Sequence, residues 1–140
     1  MLDTNVVVSA FIRPDGPPGQ IVKLLLAGEV ELVTCPAMVD ELRRTLTRPG
    51  VRKYLLASRP ELVGRLAQLE ALANLVQGTG NIEIQLRDPD DVVFLVAAVE
   101  GRAGFLVTGD ADLLVVGQYE DVHIVTPRTF LDRVQADVAR

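Results

Sequence analysis

The chain has a single cysteine and a single histidine among its 140 residues. Cys35 has no partner for an intramolecular disulfide, so a reducing cytoplasm is the expected setting. His123 stands alone, which excludes the His/Cys spacing that holds zinc. No lysine follows Lys53. Long hydrophobic runs are missing as well. The longest uncharged apolar stretch near the middle, VVFLVAAV from Val92 to Val99, is far short of the roughly 20 residues that span a bilayer, and it reads as a core helix. A secretory leader is not expected, because Asp3 interrupts the N-terminus at once. Positive charge is also in deficit. The net charge is −5, which argues against a protein held to nucleic acid by bulk charge.

What is present is apolar bulk. A chain of 140 residues with 49% hydrophobic content is expected to form one domain, and it can bury roughly 68–70% of its unfolded surface. The bases are unevenly spread. Arg43, Arg44, Arg48, Arg52, Lys53, Arg59 and Arg65 lie close together with only Glu61 among them. That segment is either a solvated helical face or a track for a phosphate backbone.

Strand-like and helix-like segments alternate. A short strand is expected to end near Asp3. QIVKLLLAG reads as a helix stopped by Gly28. Val30 to Cys35 (VELVTC) has strand length and β-branched content, and Pro36 then opens PAMVDELRRTL as a helix. Pro49-Gly50 breaks that helix, and further helical pieces are expected at about Val51–Ala57 and Glu61–Val76. IEIQL (Ile82–Leu86) is a weaker extended candidate. Pro89 opens DDVVFLVAAVEG as a helix, FLVTGD is a buried strand, ADLLVVG a short helix, VHIVT (Val122–Thr126) a last strand, and Pro127 starts a closing helix. This alternation predicts an α/β fold with a parallel sheet covered on both faces. The consecutive helices over about 36–77 read as a helical arm.

The acids carry the chemistry. Ligands of open parallel sheets sit beyond the carboxyl ends of strands, where Asp3 and Asp110 fall. Met38, Val39, Leu42 and Leu46 make one apolar helical stripe. Glu41 flanks it about 60° from Met38, while Asp40 points further toward solvent. Asp91 shares a face with Leu95 and Ala98, in the first turn of its helix. Each acid has a plainer role open to it. Asp88 and Asp90 suit an N-cap and a helix dipole better than a site, Asp110 can cap the helix at Ala111, and Glu41 can pair with Thr45 or Arg44. Together, however, four acids at one sheet edge repel one another and raise each other's pKa values. A divalent ion resolves that conflict, and carboxylate and water ligands suit Mg²⁺ or Mn²⁺. Such ions activate water and hold a phosphodiester for in-line attack.

LDTNV at the N-terminus, Glu41 within VDEL, DPDDVVFLVAAVEG and VTGDADLL follow one another in an order and spacing that resembles PIN-domain proteins, most closely their toxin branch. The resemblance spans nearly the whole chain. It implies a three-layer α/β/α sandwich around a parallel sheet of about five strands, here a single PIN-like domain over 1–140. It implies a metal-dependent endoribonuclease with Asp3, Glu41, Asp91 and Asp110 as the acidic quartet and Asp112 as an auxiliary acid. Thr4, Asn5 and Thr108 match small polar residues that support such a site. It further implies an RNA substrate, an antitoxin partner binding near the acids, and homodimerisation. Arg43, Arg44, Arg48, Arg52 and Lys53 are candidate guides for the RNA. Only Met1 and Leu2 precede Asp3 where the family carries several apolar strand residues, so the native start is expected upstream. Two other phosphoryl-transfer classes fit poorly. Haloacid-dehalogenase-like phosphatases need an acid at position 5, which is Asn5, and they and response-regulator receivers need a late lysine. A PIN-like binding domain with little or no catalysis is the alternative.

Overall fold

The computed structural model describes residues 1–55 and 59–138. Its fold is mixed α/β. Thirteen elements run in the order α1 (Thr4–Ile12), α2 (Pro17–Leu26), β1 (Val33–Thr34), α3 (Pro36–Thr47), α4 (Pro49–Arg52), α5 (Arg59–Leu72), β2 (Asn74–Leu75), α6 (Pro89–Glu100), β3 (Phe105–Val107), α7 (Ala111–Val116), β4 (Gln118–Tyr119), β5 (Val122–Val125) and α8 (Pro127–Val138). Proline occupies the first or second position of α2, α3, α4 and α6. There its fixed φ suits the helix and its missing N–H is no loss. Gly28 and Gly117 follow α2 and α7 with φ of +76° and +73°, a conformation that L side chains resist.

The expected single sheet of about five parallel strands does not match the hydrogen bonding of the described residues. They form a three-stranded sheet in the order β3-β5-β4 and a separate parallel pair, β1-β2. β3 and β5 are parallel, whereas β4 runs antiparallel to β5. The segment before α1 lies along the free side of β3: Leu2 bridges Val107 in parallel, Asp3 N–H donates to Val107 C=O at 2.9 Å and Val107 N–H to Met1 C=O at 2.9 Å. The Met1 amino group donates to Phe105 C=O at 2.8 Å. Consecutive residues alternate between two apolar clusters. Met1, Leu106 and Ile124 join the cluster built on α6 and α7, while Leu2, Val107 and Val125 join the one built on α1, α2 and α8. The period of two is that of strands covered on both faces.

Several expectations are corrected in detail. Strand character in VELVTC is confined to Val33–Thr34, because Pro36 turns the chain into α3 directly after Cys35. Residues 4–12, which the sequence pattern leaves unassigned, form helix α1. Three successive valines disfavour a helix, but Val6, Val7, Val8, Ala10 and Phe11 are all buried there, and packing overrides propensity. The helical arm is interrupted at its end. The helix expected to reach Val76 stops at Leu72, and Asn74–Leu75 pairs with β1. The helix expected over Val51–Ala57 ends at Arg52, and its last positions lie outside the described residues. Ile82–Leu86 is not a strand. Its alternation is real, since Ile82, Ile84 and Leu86 rest on the core with Glu83 and Gln85 exposed, but no neighbouring strand pairs with it. Glu100 fastens the start of this loop, accepting from Gly78 N–H at 3.0 Å and Gly80 N–H at 2.7 Å.

Candidate functional site

The parallel geometry of β3 and the N-terminal segment brings Asp3 and Thr108 side by side just beyond their paired stretch. Thr108, fully buried, uses one hydroxyl twice. Its Oγ1 donates to Asp3 Oδ2 at 2.7 Å and accepts from Asp110 N–H at 3.0 Å. The backbone of Asp3 opens α1 without a side-chain cap, so its carboxylate is left for the site. Asp3 is only 7% exposed. Burial raises its pKa, hydrogen bonds from Thr108 and the Thr4 N–H hold it back, and the charge of Asp110 raises it further. The compensation for this buried acid is therefore partial.

Asp110 is the N-cap of α7, and its Oδ1 accepts from Asp112 N–H at 2.9 Å. The capping role open to it from the sequence is thus fulfilled, with one oxygen. Asp91, half-buried in the first turn of α6, hydrogen-bonds to the Asp110 side chain. Its pKa is pushed up to about 7, chiefly by burial, then by the charge of Asp110 and by that hydrogen bond, with smaller contributions from Asp88 and Asp3. Two neighbouring carboxyl groups disfavour each other's charge, which is why Asp110 adds to the rise at Asp91. Glu41, half-buried on α3, is raised by burial and by Asp3, while Arg44 lowers it. Asp3 thus feels the charge of Asp110, Asp91 feels both of them, and Glu41 feels Asp3. Asp112 is half-buried next to them, and Asn5 is exposed on α1. Thr4 Oγ1 is buried and finds no hydrogen-bond partner among the described residues.

Whether a divalent cation suits this place can be judged from the donors. All four are carboxylates, and three of them are raised in pKa, first by burial and then by neighbouring acids. Each of these strains is relieved by a hard cation with oxygen ligands. Among the described residues, however, no three His, Cys, Asp or Glu side chains stand close enough to hold a metal ion as they are. The donor chemistry fits, and the side chains stand too far apart to share an ion without moving.

Of the remaining sequence candidates, Asp88 is the N-cap of α6, accepting from Asp90 N–H at 2.9 Å. Thr45 Oγ1 donates to the Glu41 carbonyl at 2.8 Å, leaving the Glu41 carboxylate free of that contact. His123 lies 5.8 Å from the Phe105 ring, away from the acids. The five basic candidates part company. Arg43 bonds both carboxylate oxygens of Glu70 on α5, at 3.0 and 3.1 Å. Arg44 and Arg48, and Arg43 with them, border a cleft of about 870 Å³ between α3 and α6, shared with Asp40, Glu41 and Asp90. Arg52 instead lines an apolar cavity of about 540 Å³ among α3, α4 and α5. Lys53 lies over the Tyr54 ring, 5.1 Å from its centroid. Asp90, set aside from the sequence as a dipole acid, is a cleft residue that sequence reasoning missed. Its helical phase relative to Asp91 points it at α3, but nothing in the sequence says that α3 is the neighbour.

A family model described as PIN domain matches residues 1–112, which include all four acids. The chain is also similar to an uncharacterized protein, MJ1680, of Methanocaldococcus jannaschii, with 28% identity over 143 positions covering 96% of this chain and 90% of the relative. Among the described residues no helix is long and apolar enough to cross a membrane.

Proposed function

The chain belongs to the PIN-domain family, and from that premise we propose that it is a metal-dependent endoribonuclease, the toxin of a toxin–antitoxin pair. PIN domains are generally nucleases and typically use divalent ions. The single observation that carries the reading is the meeting of Asp3, Asp91 and Asp110, acids far apart in sequence, where burial and then the charge of Asp110 push the pKa of Asp91 up to about 7. We read the whole chain as one PIN domain. In that reading the two small ladders and the N-terminal segment belong to the central layer of an α/β/α sandwich of about five strands, with α3 to α5 as its helical arm.

Asp3, Glu41, Asp91 and Asp110, with Asp112 beside them, would hold Mg²⁺ or Mn²⁺. When bound, such an ion supplies Lewis acidity, lowering the pKa of a water and offsetting charge on a phosphodiester. The protein's own residues supply position. Thr108 fixes Asp3 and the backbone of Asp110 through one oxygen. Asp110 uses one carboxylate oxygen on α7 and keeps the other for the site. Asp91 holds or releases a proton near neutral pH. Glu41 orients the attacking water, and Thr4 Oγ1 offers an unused hydrogen bond beside Asp3, with Asn5 next along α1. In-line attack leaves a 5′-phosphate and a 3′-hydroxyl. An antitoxin would bind near the acids and offer them a basic side chain, and two copies of the chain would pair through apolar helical surface.

A second reading is favoured by one observation: no three acids among the described residues stand within reach of a common ion. It makes the chain a PIN-like binding domain with little or no catalysis. A gel assay on a mixed RNA pool decides between them. The nuclease reading expects cleavage with Mn²⁺ or Mg²⁺, none in EDTA, and a loss of at least about 100-fold in Asp91→Asn, on the scale of losing a group that acts in the transition state. Cleavage that survives EDTA or the substitution sinks it. No cleavage by the wild type, with no rise in melting temperature on adding Mn²⁺, supports the binding domain.

A further inference from the structure

The cleft between α3 and α6 is lined by side chains of both charges. Asp40, Glu41 and Asp90 line it together with Arg43, Arg44 and Arg48, and the apolar Val93 and Phe94 also line it. Along α3, Arg44 is three residues beyond Glu41, and Arg48, at the C-cap, is four beyond Arg44. At 1.5 Å per residue, Arg44 and Arg48 are about 6 Å apart along the axis, comparable to the step between neighbouring phosphates of a stretched single strand. Both arginines are exposed, and neither has a carboxylate in ion-pair contact among the described residues, whereas Arg43 is bound to Glu70. Planar guanidinium groups suit phosphate oxygens.

We propose that Arg44 and Arg48 bind two successive phosphates of a single-stranded RNA on one side of the cleavage position, so that the strand runs along α3 from the acids toward the start of α4. This rests on the nuclease reading above and deepens it. It divides the basic segment: Arg44 and Arg48 touch the substrate, while Arg52 and Lys53, of equal charge, do not.

The test is RNA binding by the full chain, monitored by fluorescence anisotropy with a labelled mixed-sequence single-stranded RNA in EDTA across a salt series. Each phosphate contact to a single strand contributes about −0.7 to the slope of log K against log salt. Arg44→Gln/Arg48→Gln is expected to make the slope shallower by about 1.4 and to weaken binding at least tenfold. Arg52→Gln/Lys53→Gln, which removes the same charge, is expected to keep the wild-type slope. Arg44→Lys/Arg48→Lys, which keeps the charge, is expected to keep most of the slope, and it guards against a folding defect mistaken for lost contacts. Equal slopes for the two Gln pairs overturn the proposal, as does a wild type that does not bind. A parallel cleavage assay in Mn²⁺ separates the two readings. Cleavage with unaltered slopes removes the phosphate track alone. A slope change without cleavage keeps the track and removes the nuclease.

Discussion

At the scale of the residue, Thr108 holds the site together. One hydroxyl donates to the Asp3 carboxylate and receives the Asp110 N–H, joining positions 105 residues apart in the chain. A buried hydrogen bond to a charged group contributes about 1.5–3 kcal/mol. Its loss also leaves Asp3, already raised in pKa by burial, without its nearest donor. Thr108→Val, which keeps the shape and removes the hydroxyl, is expected to lower stability by about 2 kcal/mol. Thr108→Ser is expected to restore most of it. Urea denaturation of the three proteins measures this directly, and equal midpoints for wild type and Thr108→Val would show that the hydroxyl does not hold Asp3.

At the scale of the element, α6 is the piece on which the others are hung. Its first turn carries Asp91, its middle is sealed by Leu95, Ala97 and Ala98, and its end meets β1. A Cβ at Gly101 would lie 2.3 Å from Val33 Cγ1, too close for either group to stay in place, so the glycine sets how near β1 approaches the helix. Gly101→Ala is expected to destabilise by about 1–3 kcal/mol through overpacking. Pairing it with Val33→Ala is expected to recover part of that loss, and a double-mutant cycle by thermal melting checks the coupling. The sequence made α6 legible through its proline, its Asp88 cap and its apolar period, and it placed Asp91 on the inner face by the same phase. It also made β3, β5, α7 and α8 legible. It could not reveal α1, whose valines favour strand until burial by α2 and α3 is known. Nor could it show that the alternation of Ile82, Ile84 and Leu86 serves packing without a ladder, because alternation reports which side is buried and not which backbone is adjacent. That Asp3, Asp91 and Asp110 come near one another was legible from strand ends and helix phase. Thr108's double bond, Arg43's tie to Glu70 and Asp90's place in the cleft were not, since each depends on a neighbour distant in sequence.

At the scale of the whole molecule, stability carries opposed pH slopes. Asp91 is raised from 3.8 to about 7, so between those values the folded state keeps a proton that the unfolded chain has released. Its contribution is full at low pH and is lost as pH rises through about 7. Asp3 and Glu41 act in the same direction. The Met1 amine acts oppositely. Burial lowers it from 8.0 to about 5, and that destabilises the fold as pH falls from about 8 toward 5. The difference between wild type and Asp91→Asn isolates the carboxyl. In EDTA, Asp91→Asn is expected to gain melting temperature over wild type as pH goes from about 5 to about 8, and Mn²⁺ is expected to reverse the advantage. A pH-independent difference would show that Asp91 is not raised by burial and by the charge of Asp110. A last consequence belongs to the sheet order. β5, the central strand of β3-β5-β4, is made after every other strand of the described residues. A chain still threaded through a ribosome has the four acids synthesised but still lacks the strand beside which β3 is set. On the nuclease reading, cleavage by a nascent chain has to wait for β5 to leave the ribosome.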